Sequence, residues 1–349
     1  MSGQRLLLLG GGHAHLEVVR RLRARPDWKI TLISPQLGSA YSGRLPAVVA
    51  GRLKASQLWL PLQKLCLRAG IEFCQDSVET LHLGDKRVLC HSGRSVPFDL
   101  LSINVGSQPP GIFPGALPVR PLAAFLQHLE GLLCRCVGGD LAVVGGGAGG
   151  VELILALRHR LLQERRKCRL HLVTAGSSLL SGHCQMAQSL CQTAVEQRGV
   201  QIQFARKMSQ PSQDFDALIW ATGASAFPWL AQSGLATDAD GFVSVHSNLQ
   251  SLSHPWVFAA GDAASLQPSP FPKAGVFAVR QGPILAQNLS RSLEGRAASI
   301  CLPDSRRYLS LISYADGVAL GSWGSLAAQG RPLHYLKDWI DERWMRRYA

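Results

Sequence analysis

An α/β fold with two Rossmann-like dinucleotide-binding domains is predicted by two segments that share one grammar and by three apolar runs that each end at a glycine. The first segment runs from residues 5–9 through Gly10-Gly11-Gly12-His13-Ala14-His15 into residues 16–23. The second runs from residues 140–144 through Gly145-Gly146-Gly147-Ala148-Gly149-Gly150 into residues 151–162. Each reads as a buried strand, a glycine turn and an amphipathic helix. Ala14, Val18 and Leu22 recur every four residues in the first helix, and Leu153, Ala156 and Leu157 do similar work in the second. Apolar strands follow at 29–33 and 170–174, so a βαβ unit opens twice. The terminated runs are 100–105 into Gly106, 217–221 into Thr222-Gly223, and 257–260 into Gly261-Asp262. A Pro-rich loop (265–272) and a helix over about 275–289 come next. Residues 302–303 read as a linker. The end of the chain predicts strands at 308–314 and 317–323, with Asp316-Gly317 as the turn, and a closing helix from about Leu333.

Composition narrows the function. The 349 residues are 46% apolar and 17% charged, which supports a large core and excludes wholesale disorder. The formal charge of +13 suits an anionic substrate, a nucleotide cofactor or an acidic membrane surface. Nucleic acid is disfavoured, because the chain has no zinc finger, no RNP-like aromatic strand and no dense Lys/Arg run. Nine cysteines without a CxxC point to a reducing, cytoplasmic setting rather than a disulfide scaffold. The apolar run after Arg5 is too short for a signal sequence, and longer apolar stretches break well before a membrane-spanning length.

In a GxGxxG turn the first glycine makes the bend and the second admits pyrophosphate to the backbone. The third lets helix and strand approach, and the helix N-terminus meets the phosphate charge. Gly145, Gly147 and Gly150 match in full. Gly10 and Gly12 match, with His15 in the third place. The carboxylate that commonly holds the adenosine ribose is missing from both following strands. The first ends at Ser34, which could hydrogen-bond the ribose more weakly, and the second at Thr174-Ala175. NADH and NADPH therefore both stay open. His13 and His15 could face pyrophosphate, reach a cofactor edge or fill space. They look nothing like a metal pair.

Taken in order, these blocks resemble the two-dinucleotide flavoproteins of the pyridine nucleotide–disulfide oxidoreductase superfamily. The carrying residues are Gly10 to His15, Ala221-Thr222-Gly223, Val257-Phe258-Ala259-Ala260-Gly261-Asp262 and the block from Pro272-Lys273-Ala274-Gly275 to Arg280-Gln281. The last two blocks are similar to those of type II NADH dehydrogenases and sulfide:quinone reductases. Tyr41-Ser42-Gly43-Arg44-Leu45-Pro46 and the ending Lys337-Asp338-Trp339-Ile340-Asp341 through Met345-Arg346-Arg347-Tyr348 resemble the flavoprotein module often fused to selenide, water dikinase. The resemblance implies FAD at the first loop and NADH or NADPH at the second. The implied cofactor-binding residues are Gly10, Gly12, His13, Ala14, Ser34, Arg44, Gly106, Gly145, Gly147, Gly150, Gly223, Gly261, Asp262 and Gly275. Asp262 would hold the ribityl chain, and the helix from Gly275 would face the flavin pyrimidine edge. Glu152 and Lys273 are the implied catalytic residues, Glu152 where nicotinamide and flavin meet; a plain helix-start carboxylate is the other reading of Glu152. No cysteine pair lies in 41–51, where disulfide reductases carry theirs, and the cysteines read as inert thiols.

The implied organisation is a discontinuous FAD domain (1–112 and 242–300), an inserted NAD(P) domain (113–241) and a short C-terminal region (301–349). The implied activity is an FAD-dependent NAD(P)H dehydrogenase whose second acceptor is a quinone. A selenium or sulfur compound is the rival acceptor, and a non-catalytic FAD module the rival role. Leu336, Ile340, Trp344 and Tyr348 form an i+4 stripe flanked by Lys337, Arg343, Arg346 and Arg347. That stripe suits packing on the flavin domain or peripheral contact with a membrane.

Overall fold

Both glycine-loop strands lie at the centre of a five-stranded parallel sheet. In the computed structural model, which describes residues 3–111, 114–208, 214–303 and 307–349, the first sheet runs Val257–Ala259, Leu100–Ile103, Gln4–Leu9, Trp28–Ser34, Glu72–Gln75. The second runs Ala116–Pro118, Ala217–Trp220, Asp140–Val144, Arg169–Val173, Gln201–Gln203. Leu6 pairs with Ile30 on one side and Leu100 on the other; Leu141 pairs with Leu170 and Ala217 in the same way. Covered on both faces, such strands read as continuous apolar runs rather than alternating ones. Leu6 to Leu9 and Leu141 to Val143 are accordingly almost wholly buried. Every strand of the two opening βαβ units appears within a residue or two of its expected bounds.

The loop helices start earlier than periodicity alone suggests, at His13 (His13–Arg21) and Ala148 (Ala148–Gln163). The first turn of each is built from residues of the glycine loop itself. The first-loop helix packs along the long helix Gly275–Leu293. At their contact, a Cβ on Gly282 would lie 2.8 Å from the Cβ of Glu17. The two cores interleave along the chain. Leu45, Val49 and Leu58 join the core of the second sheet, whereas Ala226, Leu230 and Leu235 join that of the first. The expected break at 112/113 lies outside the described residues.

The C-terminal region has the two expected strands and the closing helix, and adds a third strand between them. It forms three antiparallel strands, Ser310–Ser313, Ala319–Trp323 and Leu326–Gly330, then the helix Arg331–Arg346. The third strand, Leu-Ala-Ala-Gln-Gly, has no β-branched residue to announce it. It follows a tight turn with Gly324 at φ +58°. A further antiparallel sheet, Val78–His82, Arg87–Cys90 and Ser95–Pro97, is equally weak in pattern.

The third position of each loop shows two solutions to one packing problem. A Cβ on Gly150 would sit 1.8 Å from the Gly145 carbonyl oxygen, so nothing larger than glycine fits. In the first loop His15 stands in that place, fully buried. One ring nitrogen, Nδ1, lies 2.7 Å from the Gly10 carbonyl oxygen and the other, Nε2, 2.8 Å from Ser102 Oγ. The imidazole thus bonds the carbonyl that Gly150 merely avoids in the second loop. Gly10 (φ +90°) and Gly145 (φ +137°) make the bends themselves, in a backbone region that L side chains rarely adopt.

Two predictions follow from this geometry. Gly150→Ala should lower the melting temperature, at a cost of about 1–3 kcal/mol. Gly149→Ala, with open space at its Cβ, should not. Equal effects in thermal unfolding would contradict the packing argument. Burial lowers the His15 pKa from 6.5 to about 4. The unfolded chain therefore gains a proton that the folded chain refuses. Stability should be intact above pH 6.5 and fall by roughly 3 kcal/mol by pH 4. His15→Gln should flatten that decline of Tm with pH; parallel slopes for the two proteins would refute it.

Candidate functional site

A cavity of about 470 Å³ opens where the two sheets, the long helix and the C-terminal helix converge. That volume falls in the range of small-molecule sites. His13 reaches it from the first loop, Ala148, Gly149 and Glu152 from the second, and Gly275 from the start of the long helix. Thr222 and Gly223 enter from a strand end, and Lys337, Asp341 and Trp344 from the C-terminal helix. Gly147 and Ala274, the residues that cap the second-loop and long helices, carry no side chain able to satisfy the helix donors. Two helix N-termini thus present unpaired N–H groups and positive dipole ends toward one space. A Cβ on Gly147 would meet nothing within 4 Å, which leaves the approach for a pyrophosphate open. The residues fit an anionic dinucleotide on this observation.

A buried ionic network forms one wall. Lys337, 7% exposed, donates from Nζ to Asp341 Oδ2 at 2.9 Å and to the Gly43 carbonyl at 3.0 Å. The Tyr41 hydroxyl donates to Asp341 Oδ1 at 2.7 Å. Glu152 accepts from the Ser313 amide at 2.8 Å. Burial raises the Glu152 pKa above the ordinary carboxyl value; Lys337 partly offsets this and Asp341 adds to it. For Lys337 burial works downward, but Glu152, Asp341 and Asp338 more than compensate, so its pKa is raised and the ammonium stays charged. Burial, with the Asp341 carboxylate, pushes the Tyr41 phenol well up. Tyr41 stacks on Trp344 with centroids 4.2 Å apart, and His13 lies 5.1 Å from Trp344. Desolvation lowers the His13 pKa to about 4, so that ring is neutral.

The structure gathers His13, Glu152, Gly223 and Gly275 around the cavity and sets other expected residues apart from it. Lys273 turns its ammonium to the Ala264 carbonyl at 2.6 Å and over the Phe242 ring at 3.7 Å, in a small recess lined also by Gly261 and Asp262. Asp262 accepts from Ser107 Oγ at 3.1 Å, and Arg120 lies 3.4 Å from the same carboxylate oxygen. Ser34 is buried and occupied with the backbone of Gln36. Arg44 pairs with Glu342 of the C-terminal helix. Gly10 lies against the Asn104 backbone carbonyl and Gly12 against its carboxamide, whose Oδ1 accepts from the Ala14 and His15 amides at 3.1 and 3.2 Å. Gly106 bends at φ +75° and Gly261 at φ +66°.

Asn104, Arg120, Tyr41, Lys337 and Asp341 escaped the sequence reading as functional candidates. Lys337 and Asp341 stand at i and i+4, which places them on one helix face; that spacing was the available signal. Asn104 and Arg120 carry none, because only the folded sheets bring them to the loops. None of the nine cysteines lines the cavity.

Residues 4–288 match the pyridine nucleotide-disulphide oxidoreductase family. The type II NADH:quinone oxidoreductase of Staphylococcus aureus is 22% identical over 394 residues, covering 97% of this chain and 94% of that protein. Among solved structures, NDH2 from Plasmodium falciparum in complex with NADH superposes with a TM-score of 0.85 at 13% identity, over 99% of this chain and 96% of that one. The sulfide:quinone oxidoreductase from Aquifex aeolicus gives 0.81 at 17% identity, over 98% and 90%. With the match spanning both glycine loops and both sheets, the chain belongs to the pyridine nucleotide-disulphide oxidoreductase family.

Proposed function

We propose that this protein is an FAD-dependent NAD(P)H dehydrogenase that delivers electrons to a quinone. The observation that carries the reading is the single cavity shared by both glycine loops, walled by an ionic network and by no cysteine. A dithiol route to a disulfide substrate has no residues there, which separates this chain from the disulfide reductases of its family. The relatives named above for their quinone substrates support the choice of acceptor.

Bound FAD would take hydride from NAD(P)H and pass the electrons to the second acceptor. The chain's own residues bind, orient and hold protons. Gly145, Gly147 and the helix from Ala148 hold the nicotinamide dinucleotide by its pyrophosphate. Gly10, Gly12 and the Asp262 arm hold the FAD, with Arg120 and Ser107 fixing the Asp262 carboxylate. The helix N-terminus at Gly275, which lines the cavity, would favour negative charge on a bound flavin. Quinone reduction consumes protons, and the raised pKa of Glu152 keeps a carboxyl proton available nearer neutrality than an ordinary glutamate would. Lys337, held by Asp341 and Gly43, supplies a fixed positive charge beside it.

The C-terminal stripe divides between its two readings. Trp344 and Tyr348 are buried, and the Tyr348 hydroxyl donates to Glu17 at 2.8 Å. Leu336 and Ile340 are exposed, as are Tyr335 and Trp339 on the same helix and Trp323 and Leu326 on the preceding strands. Among the described residues no helix is long and apolar enough to cross a membrane. The exposed aromatic face, with Ile340 at the cavity wall, supports peripheral contact with a bilayer that carries the quinone.

Anaerobic mixing of the yellow holoprotein with NADH or NADPH should bleach the flavin absorbance, and excess quinone should restore it. A protein that stays yellow with both nucleotides sinks the dehydrogenase reading. Gly147→Ala has an ordinary φ of −77° and no protein neighbour. It should keep the wild-type Tm while raising KM for NAD(P)H roughly tenfold or more by obstructing the phosphates. Glu152→Gln should leave bleaching by NAD(P)H intact and slow reoxidation by quinone roughly 10²-fold. It should also abolish the fall in reoxidation rate that the wild type shows as pH rises through the raised Glu152 pKa; an unchanged pH profile would exclude the proton role.

A further inference from the structure

Cys136 and Cys168 stand apart from the cavity, and neither enters the proposed mechanism. Their sulfurs are 3.2 Å apart. Cys136 ends the helix Leu122–Arg135 and is 1% exposed; Cys168, half-buried, immediately precedes the strand Arg169–Val173. The two segments are already fastened by backbone bonds on either side of the sulfurs, Gly138 N to Lys167 O at 2.7 Å and Arg169 N to Gly139 O at 2.9 Å. A disulfide needs about 2.05 Å between sulfurs. A shift of roughly 1 Å, within reach of side-chain rotation, separates the observed contact from a bond.

We propose that Cys136 and Cys168 form a thiol-oxidation site, which closes into an intramolecular disulfide on exposure to a peroxide. The Cys168 thiolate attacks one peroxide oxygen and becomes a sulfenic acid, with the other oxygen leaving as water after protonation. The Cys136 sulfur then attacks the Cys168 sulfur and loses its proton as the hydroxyl departs as a second water. Two thiols are oxidised by two electrons, and one hydrogen peroxide is reduced to two waters. Cys168 is the side that solvent reaches. The contact between the two sulfurs lowers the Cys168 pKa and raises that of Cys136, so the accessible sulfur is also the more readily ionised. The bond would join the end of one helix to the start of a strand across the unit that carries the second glycine loop. Such a bond inside a reducing compartment is transient, as a reversible modification requires.

The experiment uses the full chain with its flavin, reduced, then treated with hydrogen peroxide and digested without reductant. Mass spectrometry should show a Cys136–Cys168 linked peptide as the dominant cross-link, reversed by dithiothreitol. The oxidised protein should melt roughly 5 °C higher than the reduced one. Cys168→Ser should abolish both the link and the shift. Cys136→Ser should leave Cys168 as a sulfenic acid that dimedone labels, which keeps the test valid if the other variant folds poorly. Recovery of both residues as free thiols or as over-oxidised acids, or a dominant link through exposed Cys134 or Cys301, would overturn the proposal.

Discussion

One carboxamide holds the first glycine loop to the rest of the molecule. Asn104 accepts from two amides of the first-loop helix, donates to the Ala260 carbonyl at 2.7 Å, and accepts at its own carbonyl from Gly12 N at 3.2 Å. It thereby caps a helix from a strand 90 residues further along the chain. A buried helix end without such a partner leaves donors unsatisfied at a cost of about 1–3 kcal/mol each. The same side chain fixes where Ala260-Gly261-Asp262 leaves the sheet, and so where Asp262 can reach. Gly12 and Gly261 are glycines in part because a Cβ on either would collide with this carboxamide, at 2.3 and 2.5 Å.

The second loop has no counterpart. The equivalent strand end is Ala221, which offers a backbone amide to Val144 and no polar side chain. Its helix stays open to whatever enters the cavity. The first-loop helix is thus anchored to the sheet by a side chain and the second-loop helix is not, a division suited to one resident and one exchanging dinucleotide. The ionic wall adds to this asymmetry. Glu152 and Asp341 share the buried Lys337 ammonium, and desolvation raises the Glu152 pKa, so that this carboxyl retains its proton more readily than in water. Full ionisation would leave an uncompensated negative charge among Tyr41, Trp344 and His13.

The central architecture was legible because parallel strands covered on both faces must be continuously apolar, and because glycine is the only residue that makes the bends at Gly10 and Gly145. The cavity was half legible. Glu152, His13, Gly223 and Gly275 sit beside motifs and reach it. Lys273 sits beside a motif too, yet faces Ala264 and Phe242, because a four-carbon stem can turn to either side of a loop and local sequence does not say which. Lys337 and Asp341 belong to the cavity through packing of the last helix against a segment near residue 41. That juxtaposition depends on tertiary contacts that no local pattern encodes. The strand Leu326–Gly330 and the small sheet from Val78 to Pro97 were missed for the opposite reason: their stability comes from neighbours, while their own pattern is weak.

The walls of the cavity come from the beginning and the end of the chain, His13 and Tyr41 on one side and Lys337, Asp341 and Trp344 on the other. During synthesis the first sheet also waits for its edge strand at Val257–Ala259. The site therefore does not exist on the ribosome until the final helix has emerged from the exit tunnel. A nascent chain halted before that point can build the second sheet, whose strands all precede residue 221, but not the compartment between the two. Cofactor capture in this sense waits for the helix Arg331–Arg346.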